Sequence, residues 1–438
     1  MSVLDTSVHE EPDRPETMKT SFYLRAAGAA LGATAAVLLG LYAWTRPPSL
    51  ASTTAPRPAP SAALLAEGAR VVALGDCMVC HTTEKGPAYA GGLGLRTPFG
   101  TIYSTNITPD PETGIGRWSL EAFRRAMREG VSQDGRLLYP AFPYIHYTRM
   151  SDRDIELAYQ YLMTRTPVRL VPPSNELMFP LNFRPLLAFW NMLYLEPGSA
   201  AVPATQPTPL ERGRYLVDTL GHCASCHSGL NPIGGERQPP FKGGHVDGWD
   251  APDLTTLASG STPWRHQDLV AYLRGGLSPR HGAAKGPMRP VTERLAEVPR
   301  EDVEAMATYL MSIQSAQPLQ RVAAAAPRGA TVPAGQALFA AACASCHAEA
   351  APMMRLAGRP GLARSSTVQG DSPVNFIQTV LHGIAWQQAS LVYMPPFADS
   401  LSDEQVAQLA AYVRAEARKG AWEDVANISA RLRKETAP

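Results

Sequence analysis

The sequence predicts an all-α protein in which three tandem domains follow an N-terminal transmembrane helix. Three observations lead to this prediction. An uncharged apolar run covers residues 26–44. A helical pattern around a pair of cysteines then occurs three times along the chain. Proline-rich stretches separate these copies, as is typical of linkers between small domains.

Length and charge restrict the class of protein. The chain has 438 residues, enough for two to four domains at roughly 100–200 residues per domain. Its 40 basic and 39 acidic residues nearly cancel, whereas a nucleic-acid-binding domain carries a clear basic excess. The sequence therefore predicts no nucleic-acid partner.

The apolar run at 26–44 is long enough to cross a bilayer core, which needs about 20 residues. We expect it to be an uncleaved anchor in the lipid bilayer, with residues 1–25 in the cytoplasm and a proline-rich linker over 45–61. The alternative is a cleaved signal peptide. The run is long for one, and a further stretch of about 25 residues precedes it.

The six cysteines form three pairs of one kind, each followed directly by a histidine. The residues are Cys77, Cys80 and His81; Cys223, Cys226 and His227; and Cys343, Cys346 and His347. Cys-x-x-Cys-His is the attachment motif of c-type haem. The thiols bond to the haem vinyl groups, and the histidine ligates the iron. A zinc site, the alternative, needs four ligands near each pair. The motifs therefore predict three covalently bound haem c groups.

The sequence around each motif repeats in one order. A glycine in a helical pattern precedes the motif, a second helical pattern ending in glycine follows it, and a last pattern carries a tyrosine. The first glycines are Gly68, Gly213 and Gly335, the second ones are Gly130, Gly276 and Gly383, and the tyrosines are Tyr161, Tyr309 and Tyr412. We expect each second glycine to cap its helix at the C-terminus.

The repeat also sets the predicted domain boundaries. The domains are expected at 62–168, 210–316 and 333–425, with linkers at 169–209 and 317–332 and a tail at 426–438. The last helical patterns cover 151–163, 300–311 and 402–414. Ser402 with Gln405 has the signature of a capping box, and Ser151 with Asp154 nearly has it.

This order resembles class I cytochrome c domains, in which a first and a last helix cross and a loop methionine ligates the iron. Met288 lies twelve residues after Gly276, and Met394 lies eleven after Gly383. Both methionines adjoin prolines, which stiffen a loop. We therefore expect Met288 and Met394 to be the sixth ligands of the second and third haems. A histidine–methionine pair raises the haem potential and is typical of electron transfer.

The first copy departs from this pattern, because Phe142 stands twelve residues after Gly130. Three alternatives stay open for the first haem. Met150 reaches the iron through a longer loop, His146 makes a bis-histidine haem, or the site is open. In the reduced protein, carbon monoxide should bind at most one haem, and that haem should be the first.

Longer stretches resemble the triple-haem cytochrome c subunits of membrane-bound bacterial dehydrogenases for alcohols, gluconate or aldehydes. The stretches are TPFGTIYSTNITPDPETGIGRWS (97–119), YPAFPY (139–144) and FPLNFRPLLAFWNMLYLEPG (179–198). The resemblance implies a subunit that is not an enzyme by itself. It would relay electrons from a catalytic dehydrogenase subunit, of quinoprotein or molybdenum type, to membrane quinone or a terminal oxidase. With Phe142 at the ligand position, the sequence resembles the branch of this family that accompanies molybdenum-containing aldehyde or N-heterocycle dehydrogenases.

Bacteria attach haem c outside the cytoplasmic membrane, so residues 46–438 are expected in the periplasm. Two other functions stay open: a stand-alone carrier to a terminal oxidase, and a peroxidase-like enzyme acting at the first haem near Tyr139, Tyr144 and His146.

The apolar stretch at 185–195 is too short to span a bilayer. It predicts either a helix that braces the first two domains or a docking face for the dehydrogenase or the membrane surface.

Overall fold

The computed structural model of the chain describes residues 47–54, 58–198, 207–259, 262–315, 332–352, 354, 361–385 and 393–435, with scattered positions between 25 and 45. Within these residues the chain folds as three helical units in series, each holding one Cys-x-x-Cys-His motif. Residues 62–177 are called the first unit below, 207–315 the second unit and 332–435 the third unit.

The first unit combines helices with one small antiparallel sheet in the order β1-β2-β3. Its elements are α1 (Ala62–Leu74), α2 (Cys77–Cys80), β1 (Gly94–Thr97), β2 (Gly100–Tyr103), α3 (Leu120–Glu129), α4 (Tyr144–Tyr147), α5 (Asp152–Leu162) and β3 (Glu176–Leu177). The apolar helix α6 (Leu186–Tyr194) follows it.

The second unit repeats this plan with a β-hairpin after its motif. Its elements are α7 (Pro209–Tyr215), which continues as a π-helix over Leu216–Leu220, α8 (Ala224–His227), β4 (Lys242–Val246), β5 (Trp249–Asp253), α9 (His266–Gly275), β6 (Leu277–Ser278), β7 (Gly282–Ala283), α10 (Met288–Leu295) and α11 (Arg300–Ser312).

The third unit ends in a helix that the other two lack. Its elements are α12 (Pro333–Ala342), α13 (Ala344–His347), a 3₁₀ turn (Leu362–Arg364), α14 (Ser366–Gln369), α15 (Val374–His382), β8 (Ile384–Ala385), β9 (Tyr393–Met394), α16 (Asp403–Glu416) and α17 (Val425–Glu435). Residues 426–435, assigned to a tail from the sequence, therefore belong to α17. Leu432 of that helix is buried in the core of the third unit.

In each unit the first helix crosses the last one at the predicted glycine. A Cβ at Gly68 would lie 2.7 Å from Tyr161 Cβ, one at Gly213 would lie 2.9 Å from Tyr309 Cβ, and one at Gly335 would lie 2.8 Å from Tyr412 Cβ. The backbones approach so closely that only a residue without a side chain fits. The repeated glycine and tyrosine are thus the two sides of one contact.

The glycines after α3, α9 and α15 adopt the backbone that the C-cap prediction requires. Gly130, Gly276 and Gly383 have φ angles of 64°, 65° and 68°, and each follows the last residue of its helix. Glycine adopts positive φ at little cost because it has no Cβ. The predicted caps are confirmed, and each one turns the chain into the loop that carries the candidate sixth ligand.

The first and second units share one hydrophobic core, whereas the third unit has its own. Buried Leu74 and Ile155 of the first unit belong to the same cluster as Leu220 and Val303 of the second. Helix α6 contacts both of these units. Leu187 packs with Val131 and Leu137, and the Trp190 indole donates a hydrogen bond to the Ile233 carbonyl at 3.1 Å.

The prediction of an all-α chain behind a transmembrane helix was wrong in both parts. Four small antiparallel sheets stand beside the helices of the described residues. Among those residues, no helix is long and apolar enough to cross a membrane. The run at 26–44 is described only in short pieces such as residues 31–34. The predicted segments 1–25 and 317–332 lie almost wholly outside the described residues.

Candidate haem-binding sites

The first motif forms a single helical turn, α2, directly after α1. The turn brings Cys77, Cys80 and His81 to the wall of one cavity. The cavity has a volume of about 1580 Å³, above the roughly 300–1,000 Å³ of common ligand pockets. Apolar side chains such as Phe123 and Leu162 complete the wall. Two thiols, one imidazole and an apolar cavity of this size fit a haem.

The backbone fixes the orientation of the first proximal histidine. His81 Nδ1 lies 2.6 Å from the Thr105 carbonyl oxygen, so Nδ1 carries the proton and Nε2 keeps its lone pair. Burial lowers the pKa of His81, which favours the neutral imidazole that a metal needs. Burial also raises the pKa of the Cys77 and Cys80 thiols to about 12, so both thiols are protonated at neutral pH when no metal ion is bound.

The second motif repeats this arrangement with a different residue as acceptor. His227 Nδ1 lies 2.8 Å from the Pro252 carbonyl oxygen, at the end of the β4–β5 hairpin. Burial lowers the pKa of His227 and raises that of Cys226 to about 11. The second motif borders the first, because Cys226 and the preceding His222 line the same cavity as Cys80.

The third motif has the same local backbone. The His347 N–H donates to the Cys343 carbonyl at 2.9 Å, closing the α13 turn, and burial raises the pKa of the Cys343 thiol. Met394 lies on β9 and packs against the third core. Met288 begins α10 and packs against the shared core of the first two units. Both methionines are half-buried and lie in the segments that follow the capping glycines.

The three residues considered for the distal side of the first site lie in different places. Phe142 and Met150 both line the cavity, and Met150 is only 1% exposed. His146 points away from it toward the second unit. Its Nδ1 lies 3.0 Å from the Asp218 carbonyl oxygen and its Nε2 lies 2.7 Å from Glu236 Oε1.

The acceptors that orient the proximal histidines were not predicted from the sequence. Thr105 and Pro252 act through main-chain carbonyls, which leave no residue signature. The residues that come directly after these two carbonyls in the sequence do leave a signature. Asn106 Oδ1 accepts from the Thr108 N–H at 2.9 Å, and Asp253 Oδ1 accepts from the Thr255 N–H at 2.6 Å. An Asx-x-Thr turn directly after each carbonyl was the available signal.

Comparison with known proteins finds cytochrome families over the second and third units. Residues 210–314 match the family described as cytochrome c, and residues 330–413 match the family described as subunit III of cbb3-type cytochrome c oxidase. The chain is 46% identical over 436 residues to a subunit of the nicotinate dehydrogenase of Pseudomonas putida. That match covers 96% of this chain and 36% of the relative, so the chain spans about a third of that protein's length.

Two other relatives match along most of their length. The fructose dehydrogenase cytochrome subunit of Gluconobacter japonicus is 34% identical over 423 residues, covering 89% of this chain and 86% of that protein. The gluconate 2-dehydrogenase cytochrome c subunit of Pantoea cypripedii is 36% identical over 385 residues, covering 82% and 86%. The chain therefore belongs to the family of cytochrome c subunits of dehydrogenases, binds haem c and functions in electron transfer.

Proposed function

We propose that the chain carries three haem c groups, one in each unit, attached through the paired cysteines of its three motifs. The proximal ligands are His81, His227 and His347, and Met288 and Met394 complete the second and third sites. When bound, each haem supplies an Fe(III)/Fe(II) couple that takes up and passes on one electron. The support is repetition, since the same helix crossing, capping glycine and motif turn occur in all three units.

Met150 is proposed as the sixth ligand of the first haem. It is buried and lines the same cavity as His81, whereas both ring nitrogens of His146 face acceptors of the second unit. A methionine ligand would keep the first haem in the high-potential class suited to electron transfer. It also leaves no vacant site for peroxidase-like chemistry.

We further propose that the second haem is the middle of the relay. Cys226 lines the same cavity as Cys80, which supports attachment of the first two haems side by side. The third unit docks on the β4–β5 hairpin of the second, because Asn375 exchanges two hydrogen bonds with the Asp250 backbone at 2.9 and 2.8 Å. Asp250 lies two residues before Pro252, whose carbonyl orients His227.

The catalytic partner is proposed to be a periplasmic dehydrogenase of the molybdenum type. The relative that is 46% identical is named as a subunit of nicotinate dehydrogenase, and nicotinate is an N-heterocycle. Fructose, gluconate and alcohol dehydrogenase cytochrome subunits are less similar, at 34–36% identity. The electron acceptor is proposed to be membrane quinone or another component of the respiratory chain.

Affinity purification of the tagged chain from detergent-solubilised native membranes tests the partner. We expect a dehydrogenase with a molybdenum cofactor domain in a 1:1 ratio, identified by mass spectrometry. Recovery of a terminal oxidase alone, or of no partner, would contradict the dehydrogenase assignment. The mass of the intact purified chain gives the number of covalent haems independently, and any number below three would contradict the proposed haem content.

A further inference from the structure

Ile145, Tyr147 and Met150 of the segment from Tyr144 to Met150 line the cavity of the first motif, and side chains of the second unit contact this segment. The Tyr215 hydroxyl accepts a hydrogen bond from the Ser151 N–H at 3.1 Å, directly after the segment. The Tyr147 ring meets the His222 ring edge-on, with 5.5 Å between centroids. His146, directly before Tyr147, makes the two hydrogen bonds described above.

The hydrogen bonds of His146 occupy both of its ring nitrogens. Nδ1 lies against the Asp218 carbonyl oxygen, and Nε2 lies against the Glu236 carboxyl group. Neither nitrogen is therefore free to ligate iron while these two bonds are formed. The side chains of His146 and Glu236 are 10% and 13% exposed, so water is a poor substitute for either partner.

The two partners of His146 flank the second haem motif. Asp218 lies on the π-helix five residues before Cys223, and Glu236 lies nine residues after His227. The backbone of Glu236 is held in place because it pairs with Leu230 in a β-bridge. The contact thus joins the distal segment of the first haem to both sides of the second haem's attachment turn.

We propose that His146 is a positioning residue for the first haem. Through Glu236 and the Asp218 carbonyl, it fixes the segment that carries Met150, so the second unit keeps the first haem six-coordinate. This inference rests on the proposed role of Met150 as the sixth ligand. Phe142 explains why such positioning is needed. It occupies the usual position of the ligand, so Met150 must ligate the iron from a longer loop, and contacts from the second unit fix that loop.

The test uses the full chain with its haems and measures carbon monoxide binding to the reduced protein. It also measures the methionine–iron charge-transfer band of the oxidised protein and the midpoint potentials. His146→Ala and Glu236→Ala remove the contact from opposite sides. Each should raise the fraction of first haem that binds carbon monoxide by about tenfold, as expected for loss of one charge-assisted hydrogen bond. Met150→Ala should open the first haem fully.

The conservative variant His146→Gln separates positioning from ligation. Its amide can still donate to Glu236 but cannot replace an imidazole on iron. It should therefore keep the methionine band and the first haem's potential close to those of the wild type. His266→Ala is the matched control, because His266 lies on α9 and its hydrogen bond to the Glu304 carbonyl oxygen stays within the second unit.

Two results would overturn the proposal. In one, the wild-type first haem has a bis-histidine spectrum that His146→Gln abolishes, which would make His146 a ligand. In the other, Glu236→Ala leaves carbon monoxide binding and the methionine band unchanged, which would show that the contact holds nothing in place. Neither result affects the haem count or the co-purified partner, so failure here is distinct from failure of the proposed electron relay.

Discussion

At Gly213 the backbone of α7 passes so close to α11 that a side chain would overlap the Ala305 carbonyl oxygen. Tyr309 closes the other side of the contact. The same pairing at Gly68 and at Gly335 shows that the crossing of first and last helices depends on one residue type. Substitution there forces a helix away from its partner and disturbs the walls of the haem cavity.

We expect Gly213→Ala to destabilise the second unit by roughly 1–3 kcal/mol, the usual cost of overpacking a close contact. Thermal unfolding followed by haem absorbance measures the change. Gly275→Ala is the control, because a Cβ there meets no atom within 4 Å and glycine costs about 1 kcal/mol relative to alanine in a helix. A Gly213→Ala protein as stable as this control would contradict the described crossing.

The methionine ligands proposed for the second and third haems can be tested separately at the residue scale. Met288→Ala and Met394→Ala should each open one haem to carbon monoxide and lower the midpoint potential of that haem, because a thioether ligand raises the potential. Met306→Ala is the control, since this buried methionine packs in the core. It should lower stability and leave all three haems closed. Unchanged potentials in either ligand variant would refute the assignment of that ligand.

At the scale of elements, α1 and α7 each contact the last helix of the other unit at its third residue. Arg70 of α1 binds Asp302 of α11 with two bonds of 2.6 Å, and the Tyr215 hydroxyl of α7 donates to Asp154 of α5 at 2.6 Å. Arg212 adds a bond to Asp302 at 3.0 Å. The two units therefore face each other in a nearly reciprocal arrangement.

Asp302→Ala should destabilise the paired units, because it leaves two arginines without their shared carboxylate. We expect a loss of roughly 2–3 kcal/mol, below the usual 3–5 kcal/mol for a buried pair, since Arg70 and Arg212 are 38% and 27% exposed. Urea unfolding measures it. Arg153→Ala is the control, because its bridge to Glu67 is about half exposed and should contribute ~0–1 kcal/mol. Equal losses in both variants would contradict the buried role of Asp302.

The elements differ in how far the sequence could predict them. Helix ends were predictable where their chemistry is local, as in the capping box of Ser402 and Gln405, which is confirmed. The box at Ser151 is only half formed, because the Asp154 carboxylate accepts from Tyr215 of the other unit instead. Such a partner is distant in sequence and leaves no local pattern.

The short strands were missed for a related reason. β1 (GLRT) and β4 (KGGHV) lack the alternation of apolar and polar residues that predicts a strand. Both strands belong to segments that return to the proximal histidine, since the Thr105 and Pro252 carbonyls contact His81 and His227. His146 is the corresponding case at the site, since spacing alone made it a candidate ligand. Its tertiary neighbours, which spacing does not show, assign it to the interface.

At the scale of the whole molecule, two hydrophobic cores hold the three proposed haem sites. The first and second units are buried together, so their haems keep a fixed separation, whereas the third unit docks through polar contacts that include Asn375 on Asp250 and Gln378 on the Gly248 carbonyl at 2.9 Å. Polar contacts of this kind stabilise the packing of two units less than a shared hydrophobic core does. The third unit is therefore the part whose position a single substitution can alter.

Asn375→Ala should slow electron transfer between the second and third haems without changing any midpoint potential. The substitution removes two hydrogen bonds to the Asp250 backbone, each worth about 0.5–1.5 kcal/mol, and leaves all haem ligands in place. Rapid mixing with a reductant, followed at wavelengths that distinguish the haems, measures the rate, and potentiometric titration measures the potentials. Asn427→Ala is the control, because Asn427 is exposed on α17 and bonds locally to Asp424. If the rate of electron transfer stays unchanged although the third unit docks less tightly on the second, electrons do not pass from the second haem to the third through this contact.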